Sequence, residues 1–381
     1  MTKIEINKNR ILHLLASYRM TAEGLLSLLN DGRKKLLTTD DVICDTIALP
    51  ILKKIDKIFD RGLAYYQDFS DVSNSQSTSV FFRKENFAAE LNLESMRVVH
   101  KFEQHKHLID GFVALTEMNV QVSVKRFDIT EDAMKAAESV RALFMPEKTP
   151  KTSRELLKEM IAASAENKIF VFEFIETWNK KNRANIDGFY LNPNMIVLKR
   201  QKSYKREIFT LAHEIGHCLL GVEEVEPLDL ANLDISSLST VERWCNDFAF
   251  YLIAGADAKL IDDVTAVGPD NDYCYDLATE VSQRTFISRL AIYTRFLINQ
   301  KVSPANYASI KADLMEQYNL RLQKEKETLK DKDTHPTPPK PIMSPLYIET
   351  MQMALFKGII SETQFCKYLN VKPSKMEKYL W

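Results

Sequence analysis

The chain has 381 residues, 45% hydrophobic and 27% charged, which is the composition of a soluble globular protein. That length exceeds one ordinary core and calls for two or three domains. With 51 basic against 52 acidic side chains, the chain as a whole has no reason to bind a polyanion, and only local basic patches could do so.

In chain order, the first segment reads as several short helices. "NRILHLLASY", "AEGLLSLLND" and "LPILKKIDKIFDRGLAYY" each repeat apolar residues at three and four. The small polar run Ser70 to Ser79 reads as a loop or boundary, so residues 1–75 form one helical module. Residues 76–128 return to helical periodicity as a connecting segment. "DITEDAMKAAESVRALF" is a further helix, for which Asp128 or Thr130 is the expected cap. The period then changes. "KIFVFEFI" alternates, with Phe170, Phe172 and Phe174 on one face, and reads as a strand. "DGFYLNPNMIVLKR" reads as two strands joined at Asn192 to Asn194. Two apolar helices follow, separated by an acidic loop, and the chain stays helical to about residue 323. Residues 324–342 are charged and then proline-rich, and are expected to form an extended linker. Residues 343–381 have the cadence of a helix-turn-helix: a Ser cap, a short apolar helix, a tight turn and a second helix.

The chemistry is concentrated in "FTLAHEIGHCLL". Residues four apart lie one above the other on a helix, so His213 and His217 can present two ring nitrogens to one metal ion. Glu214 is turned about 100° away, beside the metal and not on it, where a base for an activated water belongs. Two buried histidines satisfied by hydrogen bonds are the alternative reading of this short motif. A third ligand decides between them. The extended form HExxHxxGxxH is excluded, because this chain has Leu220 and Glu223 where glycine and histidine are required. Glu242, on the following helix, fits a downstream carboxylate, with Asn246 and Asp247 one turn on as possible partners of the histidines. Ser239-Thr240-Val241-Glu242 is also a capping box, so Glu242 is either ligand or cap. Glu223, Glu224, Glu226 and Asp229 are rivals on the acidic loop, and Cys218 reads as core. Tyr204, Arg206 and Tyr251 are the candidates for stabilising a tetrahedral intermediate.

"REIFTLAHEIGHCLL", "VERWCNDFAFYLIA", "VSQRTFISRLAIYTRFL" and the upstream "IDGFYLNPNMIVLKR" occur in the order found in the ImmA/IrrE family of zinc metallopeptidases, which the chain resembles over residues 129–299. The resemblance implies a gluzincin-like fold for residues 129–323, with Zn2+ on His213, His217 and Glu242 and with Glu214 as catalytic base. The expected class is therefore α+β and predominantly helical: a small sheet packed on the HExxH helix, flanked by helical modules. The resemblance further implies a protein substrate, a helix-turn-helix repressor or antitoxin encoded nearby, and an origin in stress-response loci, mobile elements or toxin–antitoxin-like pairs. The N-terminal module is similar to a degenerate helix-turn-helix. Its "GRKKLLTTDDVICDT" mixes basic and acidic residues, so DNA is not the favoured partner. A reading from another class is a non-proteolytic transcriptional regulator or toxin-like partner with structural zinc.

The five cysteines, Cys44, Cys218, Cys245, Cys274 and Cys366, include no CxxC pair and fit a reducing compartment. With no apolar run long enough for a bilayer and no apolar secretory core in the N-terminal stretch, the sequence reads as cytoplasmic, without a membrane partner.

Overall fold

The computed structural model describes residues 2–71, 91–148, 150–176, 183–201, 203–224, 239–330 and 340–380. It is an α+β protein, mostly helical with a small sheet. The chain divides into two compact units, Met1–His105 with Lys181–Asn185, and Lys106–Lys180 with Ile186–Trp381. Among the described residues no helix is long and apolar enough to cross a membrane.

In the first unit, α1 (Lys8–Ser17) and α2 (Ala22–Asn30) start where expected, because Asn7 and Thr21 accept hydrogen bonds from the backbone of Asn9 and Gly24. The short α3 (Thr39–Val42) leads to α4 (Leu49–Phe59) and α5 (Leu63–Tyr66). A ribbon of two three-residue strands, β1 (Lys3–Glu5) and β2 (Thr46–Ala48), adds to the helices the periodicity indicated. Ile11, Leu14, Leu25, Leu52, Ile55 and Phe59 close the core. α6 (Leu93–Thr116) begins in this unit. On it His105 is half-buried, and burial lowers its pKa to about 4; His107 is exposed. Most of the expected loop Ser70 to Ser79 lies outside the described residues.

In the second unit, α7 (Ala133–Phe144) is capped by Asp132, not by Asp128 or Thr130. The Asp128 side chain is turned onto Thr130 instead. α8 (Ser153–Glu166) opens with a capping box between Thr152 and Glu155. Strands β3 (Phe170–Phe174), β4 (Gly188–Leu191) and β5 (Met195–Lys199) form one sheet in the order β3-β5-β4. β4 and β5 are the expected antiparallel hairpin turning at Asn192 to Asn194, and β3 runs parallel to β5. Both faces are covered, so Val171 and Glu173 of β3 are buried together with Phe170 and Phe174.

α9 (Tyr204–Leu220) follows β5, and α10 (Thr240–Ala254) packs against it. Ile208, Leu211, Ile215 and Leu219 of α9 are fully buried, each worth about 1.5–3 kcal/mol of burial. The chain continues through α11 (Ala258–Asp262), α12 (Tyr275–Thr285) and α13 (Arg289–Ile298) to α14 (Pro304–Lys330), which carries helix seven residues into the segment whose composition reads as linker. In the tail, α15 (Pro345–Phe356) and α16 (Glu362–Tyr368) are α-helices, with Ser361 capping α16 as expected. The second helix of the expected pair is a 3-10 segment, Pro373–Tyr379, begun by proline.

Candidate metal centre

The structure brings His213, His217 and Glu242 together. Their Nε2 atoms lie 3.1 Å apart, and the Glu242 carboxylate reaches both, Oε2 at 3.0 Å from His213 Nε2 and Oε1 at 3.2 Å from His217 Nε2. Among the described residues these three are the one group of His, Cys, Asp or Glu side chains placed so that they could hold a metal ion. Ligand atoms around a tetrahedral zinc with bonds near 2.05 Å stand about 3.3 Å from one another, and the spacing here fits.

The geometry has local causes. Gly221 ends α9 in the left-handed region at φ 69°, a conformation that costs glycine no side-chain clash. The turn places the Val222 carbonyl 3.1 Å from His217 Nδ1. That carbonyl can only accept, from Nδ1–H, so Nε2 is the ring nitrogen aimed at Glu242 and His213 and the one that would offer its lone pair to a metal. Glu242 arrives on the first turn of α10. Its backbone N–H donates to Ser239 Oγ at 3.1 Å, while its side chain goes to the histidines. Only half of the expected capping box forms: Ser239 Oγ accepts the Glu242 amide, but the Glu242 carboxylate goes to the ring nitrogens and does not return to the helix end. Burial opposes ionisation of Glu242, but the two histidines prevail and hold its carboxyl far below the usual carboxylate range.

Glu214 is buried beside the group, with its Oε2 free of any hydrogen-bond partner. Burial pushes its pKa up to about 7 against the pull of the two histidines. β4 begins next to it: a Cβ on Gly188 would lie 2.6 Å from Thr210 Cγ2 and 3.3 Å from Glu214 Oε1, so only glycine lets strand and helix approach this closely. A buried carboxyl with one unsatisfied oxygen, poised near neutrality beside two imidazoles and a carboxylate, can take and return a proton.

The remaining candidates lie elsewhere. Glu223 accepts the Asn192 N–H at 2.7 Å and Glu224 accepts from Ser239 Oγ at 2.8 Å; Glu226 and Asp229 are outside the described residues. Asp247, expected near the histidines, is ion-paired with Arg295 at 2.7 Å. Cys218 is core, its thiol pushed by burial to about 12. Of the three residues considered for a tetrahedral intermediate, Tyr204 lies under Arg200, Tyr251 bonds to Asp262 and Arg295, and Arg206 is paired with Asp187 two turns before His213. Asp187 and Val222 did not stand out in the sequence. A backbone carbonyl has no sequence signature, and Gly221 after the apolar run was the only trace of its turn.

Residues 169–257 match the family model Peptidase_M78, described as an IrrE N-terminal-like domain. The match runs from β3 past α10 and so contains the sheet, Glu214 and all three members of the His-His-Glu group. A search of curated proteins returns no match. The family supports a function of the metallopeptidase type.

Proposed function

We propose that this chain, which carries the ImmA/IrrE family's peptidase domain over residues 169–257, is a zinc-dependent endopeptidase acting on a regulatory protein. One observation carries the reading: His213, His217 and Glu242 converge through side-chain atoms 3.0 to 3.2 Å apart, next to a buried glutamate with a free oxygen.

His213, His217 and Glu242 would hold the zinc, which supplies Lewis-acid chemistry for water and the scissile carbonyl. Glu214 is the general base and then the general acid. Its carboxyl can accept a proton from the attacking water at neutral pH and release it to the leaving amine. The Val222 carbonyl keeps His217 in the tautomer that ligates, and the side chain of His213, 15% exposed, opens the group toward solvent and substrate. The resemblance to a family that acts on helix-turn-helix regulators supports a repressor or antitoxin encoded nearby as the substrate. The five cysteines are all free, which supports action in the cytoplasm.

The test is metal analysis of the purified chain, followed by incubation with the helix-turn-helix protein of the neighbouring gene. We expect close to one zinc per chain, and cleavage that a chelator stops and added zinc restores. Cleavage that survives removal of the metal contradicts the proposal.

A further inference from the structure

Arg206, Thr210, His213 and His217 follow one another on α9 at intervals of four, three and four residues and so share one stripe of the helix. The stripe runs from solvent to core: 43% of the Arg206 side chain is accessible, against 15% for His213 and 1% for His217. Arg206 Nε donates to Asp187 Oδ2, and Asp187 Oδ1 accepts from Gln201 Nε2 at 2.7 Å. Asp187 is buried and immediately precedes Gly188, the residue of β4 that lies against Thr210 and Glu214. A fixed carboxylate therefore grips one edge of the guanidinium at the open end of the stripe. The terminal nitrogens of Arg206 have no partner among the described residues.

We propose that Arg206 is a specificity-determining residue of the peptidase, and that its terminal nitrogens receive a carboxylate of the substrate. The inference rests on the peptidase reading. A guanidinium presents paired N–H donors matched to the two oxygens of a carboxylate, and it stays charged at every working pH. With Nε held by Asp187, little side-chain freedom remains to be lost when the substrate arrives. Seven residues of helix at 1.5 Å each place Arg206 about 10 Å from His213 along the axis. An extended peptide advances about 3.3 Å per residue, so the acidic group sits about three residues from the scissile bond.

The test is cleavage of a proteome-derived peptide library by the zinc-loaded wild-type chain and by Arg206→Ala, Arg206→Lys and Arg206→Glu, with the cut sites read by mass spectrometry. We expect Asp and Glu to be enriched at one position two to four residues from the cut in wild type. Arg206→Ala loses the enrichment, Arg206→Lys keeps part of it, and Arg206→Glu replaces it with Lys and Arg, all at wild-type zinc content. For an acidic peptide, Arg206→Ala lowers kcat/KM about 10–100-fold, mostly through KM. Binding of a matched pair of peptides, Glu against Gln at that position, to the Glu214→Gln chain gives a readout free of turnover, and the Glu peptide binds more tightly. Cuts without acidic preference, or a preference unchanged in Arg206→Ala, overturn the assignment of Arg206 and leave the peptidase reading intact. A wild-type chain that loads zinc and cuts nothing overturns both.

Discussion

Gly216 and Cys245 meet where the two ligand-bearing helices pack: a Cβ on Gly216 would lie 3.3 Å from Cys245 Sγ, 3.3 Å from Phe248 Cδ1 and 3.4 Å from Cys245 Cα. The missing side chain at 216 lets α10 lie close enough to α9 for Glu242 to reach both histidines. Gly216→Val forces the helices apart and costs about 1–3 kcal/mol of overpacking. We expect a melting temperature lower by several degrees and faster loss of zinc to a chelator, measured by thermal unfolding and metal-exchange kinetics. Unchanged zinc retention would detach the helix spacing from the metal group.

The two roles of Glu242 separate by mutation. Ser239→Ala removes the acceptor for the Glu242 amide and costs about 1 kcal/mol of stability, but leaves the carboxylate on the histidines. Glu242→Gln retains the cap and removes the charged oxygens. Metal analysis after dialysis should find near-stoichiometric zinc in the first variant and little in the second. The reverse order would make Glu242 a cap alone.

A prediction about pH concerns the base of α9. Arg200 is 2.5 Å from Glu207 and 3.8 Å from Glu173, and both carboxyls are fully buried. One guanidinium cannot balance two carboxylates, and burial, reinforced by Glu173, holds Glu207 well above the ordinary carboxylate range. The unfolded chain releases that proton near pH 4.5 while the folded chain keeps it. The unfolded state therefore binds fewer protons as pH rises from about 5 to 8, and stability falls across that window. Glu207→Gln removes this contribution, so its stability should fall less than wild type between those two pH values, by about 1–2 kcal/mol. Urea titrations at both pH values check this; parallel losses would show that Glu207 titrates normally.

Much of this architecture is legible in local sequence. The β4–β5 hairpin follows from alternation on either side of Asn-Pro-Asn, and α9 from an apolar period interrupted by His213 and His217. What sequence hides is set by distant partners. The strands Lys3–Glu5 and Thr46–Ala48 are too short to show a period and exist because they pair with each other. Glu173 lies where alternation predicts a polar face, yet Arg200 and the backbone of Ile342 cover it. In the candidate centre, the spacing of the histidines points to a metal. Whether Glu242 faced them or its own helix end depended on how α10 crosses α9, which no local pattern encodes.

The central claim is that Glu214 moves the proton in a metal-dependent hydrolysis. The most direct measurement compares wild type with Glu214→Gln for zinc content and for cleavage of the neighbouring helix-turn-helix protein in the same preparation. We expect one zinc per chain in both and a loss of cleavage of about 100-fold or more in the variant. Undiminished cleavage by the zinc-loaded variant, or loss of the metal itself, would contradict the role assigned to Glu214.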